Sequence, residues 1–151
     1  MNRTDNDGGD REYPNRPLVG VGVVTIKDGK ILLVKRAFAP GAGKWSIPGG
    51  LVEVGEKLSD AGVRETEEET GFRVQILELI NAFDMIDLDD DGNARYHYVL
   101  VDFLARPTGG EEKLSEEVTD LKWVPYESAK EMDLTASARK ALSELFGSSI
   151  T

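Results

Sequence analysis

The stretch from Gly50 to Phe72, GLVEVGEKLSDAGVRETEEETGF, constrains this chain most, because four of its last eight residues are glutamates. Its pattern predicts a helix that begins near Leu58 or Ser59 and ends at Thr70, with Gly71 as the left-handed residue just beyond. At about 3.6 residues per turn, Glu65, Glu68 and Glu69 stand at i, i+3 and i+4 and project from neighbouring positions on one face. Like charges at that spacing destabilise a helix, so the cluster needs a reason. It is either a solvated acidic surface or a site for a hard divalent cation such as Mg2+, which seeks clustered oxygen ligands. The opposite face, Ser59, Val63, Thr66 and Thr70, offers less apolar cover than an ordinary amphipathic stripe.

The totals narrow the choice. A chain of 151 residues with 40% hydrophobic and 30% charged residues suits one domain with its own core. A net charge of -10 disfavours nucleic-acid and anionic-membrane partners, which are gripped by clustered Lys and Arg. The chain contains no Cys and a single His, which removes thiolate chemistry and argues against a His-rich metal site. No run of about 18 apolar residues is present for a membrane span, and the N-terminus is polar, so a cytoplasmic location is expected. Residues 1–16, rich in Asp, Asn, Gly and Arg, read as a mobile tail before a single domain at 17–151.

Leu18 to Ile26 and Ile31 to Arg36 read as two strands joined by a hairpin at Asp28-Gly29. Gly20 and Gly22 leave room for a close approach. Lys35 and Arg36 close the second strand, either as a charged strand end or as groups that meet substrate phosphates. Residues 37–50 read as a Gly- and Pro-rich loop anchored by Trp45. Gly49-Gly50 would let a main-chain carbonyl face a cation. Two further long strands, Phe72 to Ile86 and Tyr96 to Arg106, flank an Asp-rich hairpin turn. That turn resembles the opening of a calcium loop but carries Tyr98 where a bidentate Glu is required. His97 reads as structural, and Phe38, Phe83 and Tyr96 as core packing rather than base-stacking groups. A short strand, DLKWV, and one or two helices from about Ser128 complete the chain.

Gly50, Glu56, Arg64, Glu65, Glu68, Glu69, Gly71 and Phe72 together resemble the Nudix box, G-x5-E-x7-R-E-U-x-E-E-x-G-U, with Thr66 departing from its bulky apolar position. The likeness extends over roughly Leu18 to Pro125. It implies an α+β fold, an α/β/α sandwich with a mixed β-sheet and the box as a loop-helix-loop on one side. It also implies metal-dependent hydrolysis of a nucleoside diphosphate linked to another group, with two or more Mg2+ or Mn2+ ions neutralising the diphosphate and activating water. By resemblance Glu65, Glu68 and Glu69 are metal ligands, with Glu56 at an outer position and the Gly49 carbonyl as a further ligand. Arg64 resembles the arginine that holds the box glutamates in place. Glu117, preferred over Glu116, resembles the carboxylate that a distant loop contributes, and Glu65 and Glu117 are both candidates for the catalytic base. The pattern is similar to the compact ADP-ribose pyrophosphatase and nucleotide-cleaning branches. ADP-ribose or a related nucleotide sugar is the expected substrate. The alternatives are a pyrophosphatase for damaged nucleoside triphosphates and a non-catalytic nucleotide-sensing module. The oligomeric state stays open, a homodimer included.

Overall fold

A computed structural model describes residues 11–147. Strand β1 (Leu18–Lys27) turns through Asp28 and Gly29, at φ of 52° and 79°, into β2 (Lys30–Arg36). Two consecutive residues at positive φ match the right-handed twist of the flanking strands, which is why the Asp-Gly pair forms the hairpin. The expected loop at 37–50 contains two short strands, β3 (Trp45–Ser46) and β4 (Gly49–Leu51). Neither is long enough to show an alternating pattern; their partners β2 and β1 supply the hydrogen bonds that hold them extended. Helix α1 (Leu58–Thr70) follows, then β5 (Phe72–Leu88) and β6 (Ala94–Gly110) as a long hairpin, β7 (Val118–Pro125), α2 (Tyr126–Ala129) and α3 (Ala136–Phe146). The Asp-rich segment is the tip of that hairpin: Asp89 Oδ1 accepts hydrogen bonds from the N–H groups of Asp91 and Asn93, both at 2.9 Å.

The sheet runs β3-β2-β1-β6-β5, with β4 paired to β1 and β7 paired to β2. β1 lies parallel to β6 and antiparallel to β2 and β4, so the sheet is mixed. Alternation along β1 decides what each face packs against. Val21 packs with Ala61 of α1, Val101 and Phe103, and Val23 with Val74, Ala105 and Val63 of α1; Val24 meets the other layer, with Trp45, Ile47, Ala138 and Leu142. Helix α1 therefore covers one face and α3 the other, giving the expected sandwich. β2 carries the continuous apolar run Ile31 to Val34 because both its faces are buried: Ile31 and Leu33 join the α3 side, Leu32 and Val34 pack on Val118 and Leu121.

The buried face of α1 is rotated from the expected one. Ala61, Gly62, Thr66, Glu69 and Thr70 are buried, whereas Ser59 and Val63 are only half-buried. A hydrogen-bonded hydroxyl can replace apolar cover here. Thr66 Oγ1 donates to the Gly62 carbonyl at 2.8 Å and Thr70 Oγ1 to the Thr66 carbonyl at 2.7 Å, so both hydroxyls are satisfied inside the helix groove. A Cβ at Gly62 would stand 3.0 Å from Val23, so its absence lets the helix settle close to the sheet. The helix stops at Gly71, φ 85°, where a side chain would also collide with the Glu111 carbonyl.

Part of the expected tail, residues 1–10, lies outside the described residues. Further along it, the chain is held at the β5–β6 hairpin. The Tyr13 N–H donates to the Arg95 carbonyl (2.7 Å), the Tyr13 hydroxyl to Asp89 (2.9 Å), and Arg95 to Glu12 (2.8 Å).

Candidate active site

A cleft of ≈ 840 Å³ opens between the sheet face bearing Gly20 and Gly22, the loop after Arg36, and the first turn of α3. At one end stand Glu65, Glu69 and Glu117, each offering a carboxylate oxygen within 4.8 Å of the other two. Glu65 and Glu69 arrive together because they are one helical turn apart on α1. Glu117 arrives through the sheet: β7 pairs with β2 as far as Val118↔Arg36, and the Ala37 N–H donates to the Glu117 carbonyl at 2.9 Å.

Burial makes this cluster electrostatically costly. It pushes the Glu65 carboxyl up to about 7 against the pull of the Arg64 guanidinium. Burial also pushes Glu69 up to about 8, with repulsion from Glu65 and Glu117 adding to it, against the Gly49 N–H and Arg36. That Gly49 N–H lies 3.4 Å from Glu69 Oε1. The glycine pair is required by close packing. A Cβ at Gly49 would strike the Val21 carbonyl, and one at Gly50 would strike the Glu65 carboxylate.

Arg64 is the hub behind the cluster. Its Nε and Nη2 donate to the two oxygens of Glu56 at 2.7 and 2.9 Å, Nη1 to Glu65 at 2.9 Å and Glu68 at 3.2 Å, and Nη2 also to the Leu51 carbonyl at 3.1 Å. The bidentate pair holds the Glu56 carboxyl below its usual range and raises the Arg64 guanidinium further. The structure thus separates the box carboxylates. Glu65 and Glu69 face the cleft with Glu117, while Glu68, its side chain 58% exposed, and Glu56 lie on the Arg64 side of the helix.

The two basic residues part as well. Arg36 lines the cleft, its Nε donating to the Pro40 carbonyl at 2.7 Å, whereas Lys35 lies outside the lining with Nζ 6.0 Å from the centre of the Trp45 ring. Trp45 is the buried anchor expected of it. Phe38 is not core: it is 61% exposed on the cleft rim. Tyr96 lines the cleft stacked on Tyr98, and Phe83 lies under the Lys140 ammonium. Among the cleft residues not singled out from the sequence, one is a buried acid. Asp102, 3% exposed, lies mid-strand in β6, and its only signal was a lone acid inside the apolar run YVLVDFLA.

The chain resembles known proteins in sequence and fold. The chain is 36% identical to an ADP-ribose pyrophosphatase of Methanocaldococcus jannaschii over 107 residues, 71% of this chain but only 61% of that relative's length. It is 32% identical to a MutT-like protein of Streptomyces ambofaciens, covering 91% of this chain and 84% of the relative, and 32% identical to the nucleoside triphosphatase NudI of Escherichia fergusonii, covering 77% and 87%. The crystal structure of a MutT NUDIX hydrolase from Burkholderia pseudomallei superposes with a TM-score of 0.74 at 35% identity, over 87% of this chain and 99% of that one. The NUDIX domain model matches residues 16–145, nearly the whole described fold, and the chain belongs to the Nudix hydrolase family.

Proposed function

We propose that this chain hydrolyses the pyrophosphate bond of a nucleoside diphosphate linked to another group, ADP-ribose or a related nucleotide sugar, with Mg2+ or Mn2+ as cofactor. The observation that carries the reading is the convergence of Glu65, Glu69 and Glu117 at one end of a cleft large enough for a nucleotide. The donor set is all hard oxygen, and burial drives two of its carboxylates toward protonation, which a divalent cation would reverse. Glu65, Glu69 and Glu117 are assigned as ligands, with the Gly49 carbonyl beside them; Glu56 and Glu68, tied to Arg64, are assigned to an outer position. When bound, the cations supply charge neutralisation for the diphosphate and a more acidic water.

The chain's own groups do the rest. Arg64 fixes the carboxylates against their mutual repulsion, and Arg36 offers the cleft a guanidinium for phosphate oxygens. Glu65 and Glu117 are the two carboxylates assigned as candidates for the base that takes the attacking water's proton. The likeness to an ADP-ribose pyrophosphatase supports the diphosphate reading; the likeness to NudI supports a second reading, a nucleoside triphosphate pyrophosphatase. A substrate panel with Mg2+ separates them by product. AMP plus ribose 5-phosphate marks the first, nucleoside monophosphate plus pyrophosphate the second, and activity on neither class refutes both.

A stability measurement tests the site without turnover. Glu65 and Glu69 have folded-state pKa values above their unfolded ones, so they favour folding below about 4.5 and lose that contribution as pH rises through about 7 and 8. The metal-free protein is therefore expected to melt lower at pH 8 than at pH 5, by roughly 5 °C or more, and millimolar Mg2+ to close most of the gap. A melting temperature that rises from pH 5 to pH 8 without metal would remove the basis for this assignment.

A further inference from the structure

Asp102 is in register with Gly22 of β1 on one side and Asn81 of β5 on the other. It leans toward β1: its Oδ1 lies 2.6 Å from where a Cβ on Gly22 would be, and Ile47 Cδ1 lies 2.8 Å from the same point. Glycine at 22 is what admits the carboxylate there. No hydrogen bond or ion pair joins the Asp102 side chain to any described residue, and its Oδ2 is wholly buried without a partner. A carboxylate in the middle of a sheet, serving no turn, helix cap or salt bridge, costs stability that an apolar residue would not. It nevertheless lines the same cleft as Glu65, Glu69 and Glu117.

The sheet sets the spacing between Asp102 and that cluster. Gly49 pairs with Gly22, and Gly22 with Asp102, so Asp102 stands two strand spacings, roughly 10 Å, from the glycine that touches Glu69. That backbone separation is on the scale of a nucleotide that holds its phosphates at the glutamates and presents its base to Asp102. Leu100 packs over Gly20 and Ile47 over Gly22, so the cleft lining beside Asp102 is apolar, which suits the face of a flat ring. Burial pushes the Asp102 carboxyl up to about 7; above that pH the group only accepts, calling for an N–H donor and repelling carbonyl oxygens.

We propose that Asp102 reads the nucleotide base, accepting a hydrogen bond from the amino group of adenine, cytosine or guanine and disfavouring uracil, which has no amino group and whose one ring N–H is flanked by two carbonyl oxygens that a carboxylate repels. This inference rests on the nucleotide reading of the cleft and names its specificity-determining residue. The test is calorimetric binding of AMP, CMP, GMP and UMP to the full chain in Mg2+, for the wild type, Asp102→Asn and Asp102→Ala. The wild type is expected to bind the amino-bearing nucleotides about tenfold or more tightly than UMP. Asp102→Asn, which offers both an acceptor and a donor, admits UMP and narrows the ratio, and Asp102→Ala abolishes it. Both variants keep or raise the melting temperature, since each removes an unpartnered carboxylate. An equal loss for all four nucleotides would point to a sugar contact and overturn the proposal, as would a preference that survives Asp102→Ala or a wild type with none. Monophosphate binding needs no turnover. Intact base selection without hydrolysis would therefore strike the catalytic reading and leave this one standing.

Discussion

Glu69→Gln is expected to lower kcat by about a thousandfold or more, while the metal-free protein at pH 8 becomes more stable. Both effects have one cause. Glu69 is 7% exposed and lies among Glu65 and Glu117, so its charge is costly unless a cation sits with it. A metal ion in such a site supplies several kcal/mol of transition-state stabilisation, at about 1.4 kcal/mol per tenfold in rate. The amide keeps the shape and the contact to the Gly49 N–H but cannot hold a cation comparably. Steady-state kinetics and thermal melts with and without Mg2+ check the pair of outcomes. A variant with wild-type kcat would take Glu69 out of the site. A rise in stability accompanied by lost turnover would mark a residue kept for chemistry against the interest of the fold.

The second large effect is expected at Arg64. Its fork makes five hydrogen bonds, to Glu56, Glu65, Glu68 and the Leu51 carbonyl, and among the described residues no other cation forms an ion pair with these glutamates. Arg64→Lys keeps the charge but cannot span Glu56 bidentately while reaching Glu65, so kcat/KM should fall about 10- to 100-fold with a modest change in melting temperature. Arg64→Met leaves the Glu56 and Glu65 carboxylates facing each other without compensation. It is expected to cost about 2–3 kcal/mol, the usual penalty for breaking a buried pair reduced for the hub's partial exposure, seen as a melting temperature lower by roughly 5–10 °C. If Arg64→Lys instead raised KM alone, with kcat unchanged, the residue would belong to substrate binding rather than to holding the glutamates.

Much of the fold was legible because local rules and tertiary demands agree in it. Helix α1 starts at Leu58 and stops at Gly71 as the glycine signal requires, Asp28-Gly29 makes the hairpin, and Asp89 closes the β5–β6 turn. Where the reading missed, a partner distant in sequence had overridden the local signal. β3 and β4 are strands only because β2 and β1 lie alongside them. Ser59 and Val63, expected on the buried face of α1 with Thr66 and Thr70, are only half-buried, and Glu69 is buried instead because the sheet and β4 pack against that side. Phe38 is exposed because its loop rides on the cleft rim, although an aromatic after a strand reads as core.

The acidic helix shows how the two levels divide the work. Residue spacing alone determined that Glu65, Glu68 and Glu69 would share a side of α1 and that Arg64 would stand beside them, because helical geometry is a property of the chain's nearest turns. Which carboxylates face the cleft is not a local matter. The sheet turns Glu65 and Glu69 inward and leaves Glu68 on the solvent side with Arg64, and the β2–β7 pairing brings Glu117 to within 4.8 Å of the first two. Gly22 and Asp102 meet in the same way, through a parallel pairing between strands far apart in sequence. Contacts of that kind depend on how layers pack and strands register, which a linear pattern does not encode, and only the tertiary structure decided them.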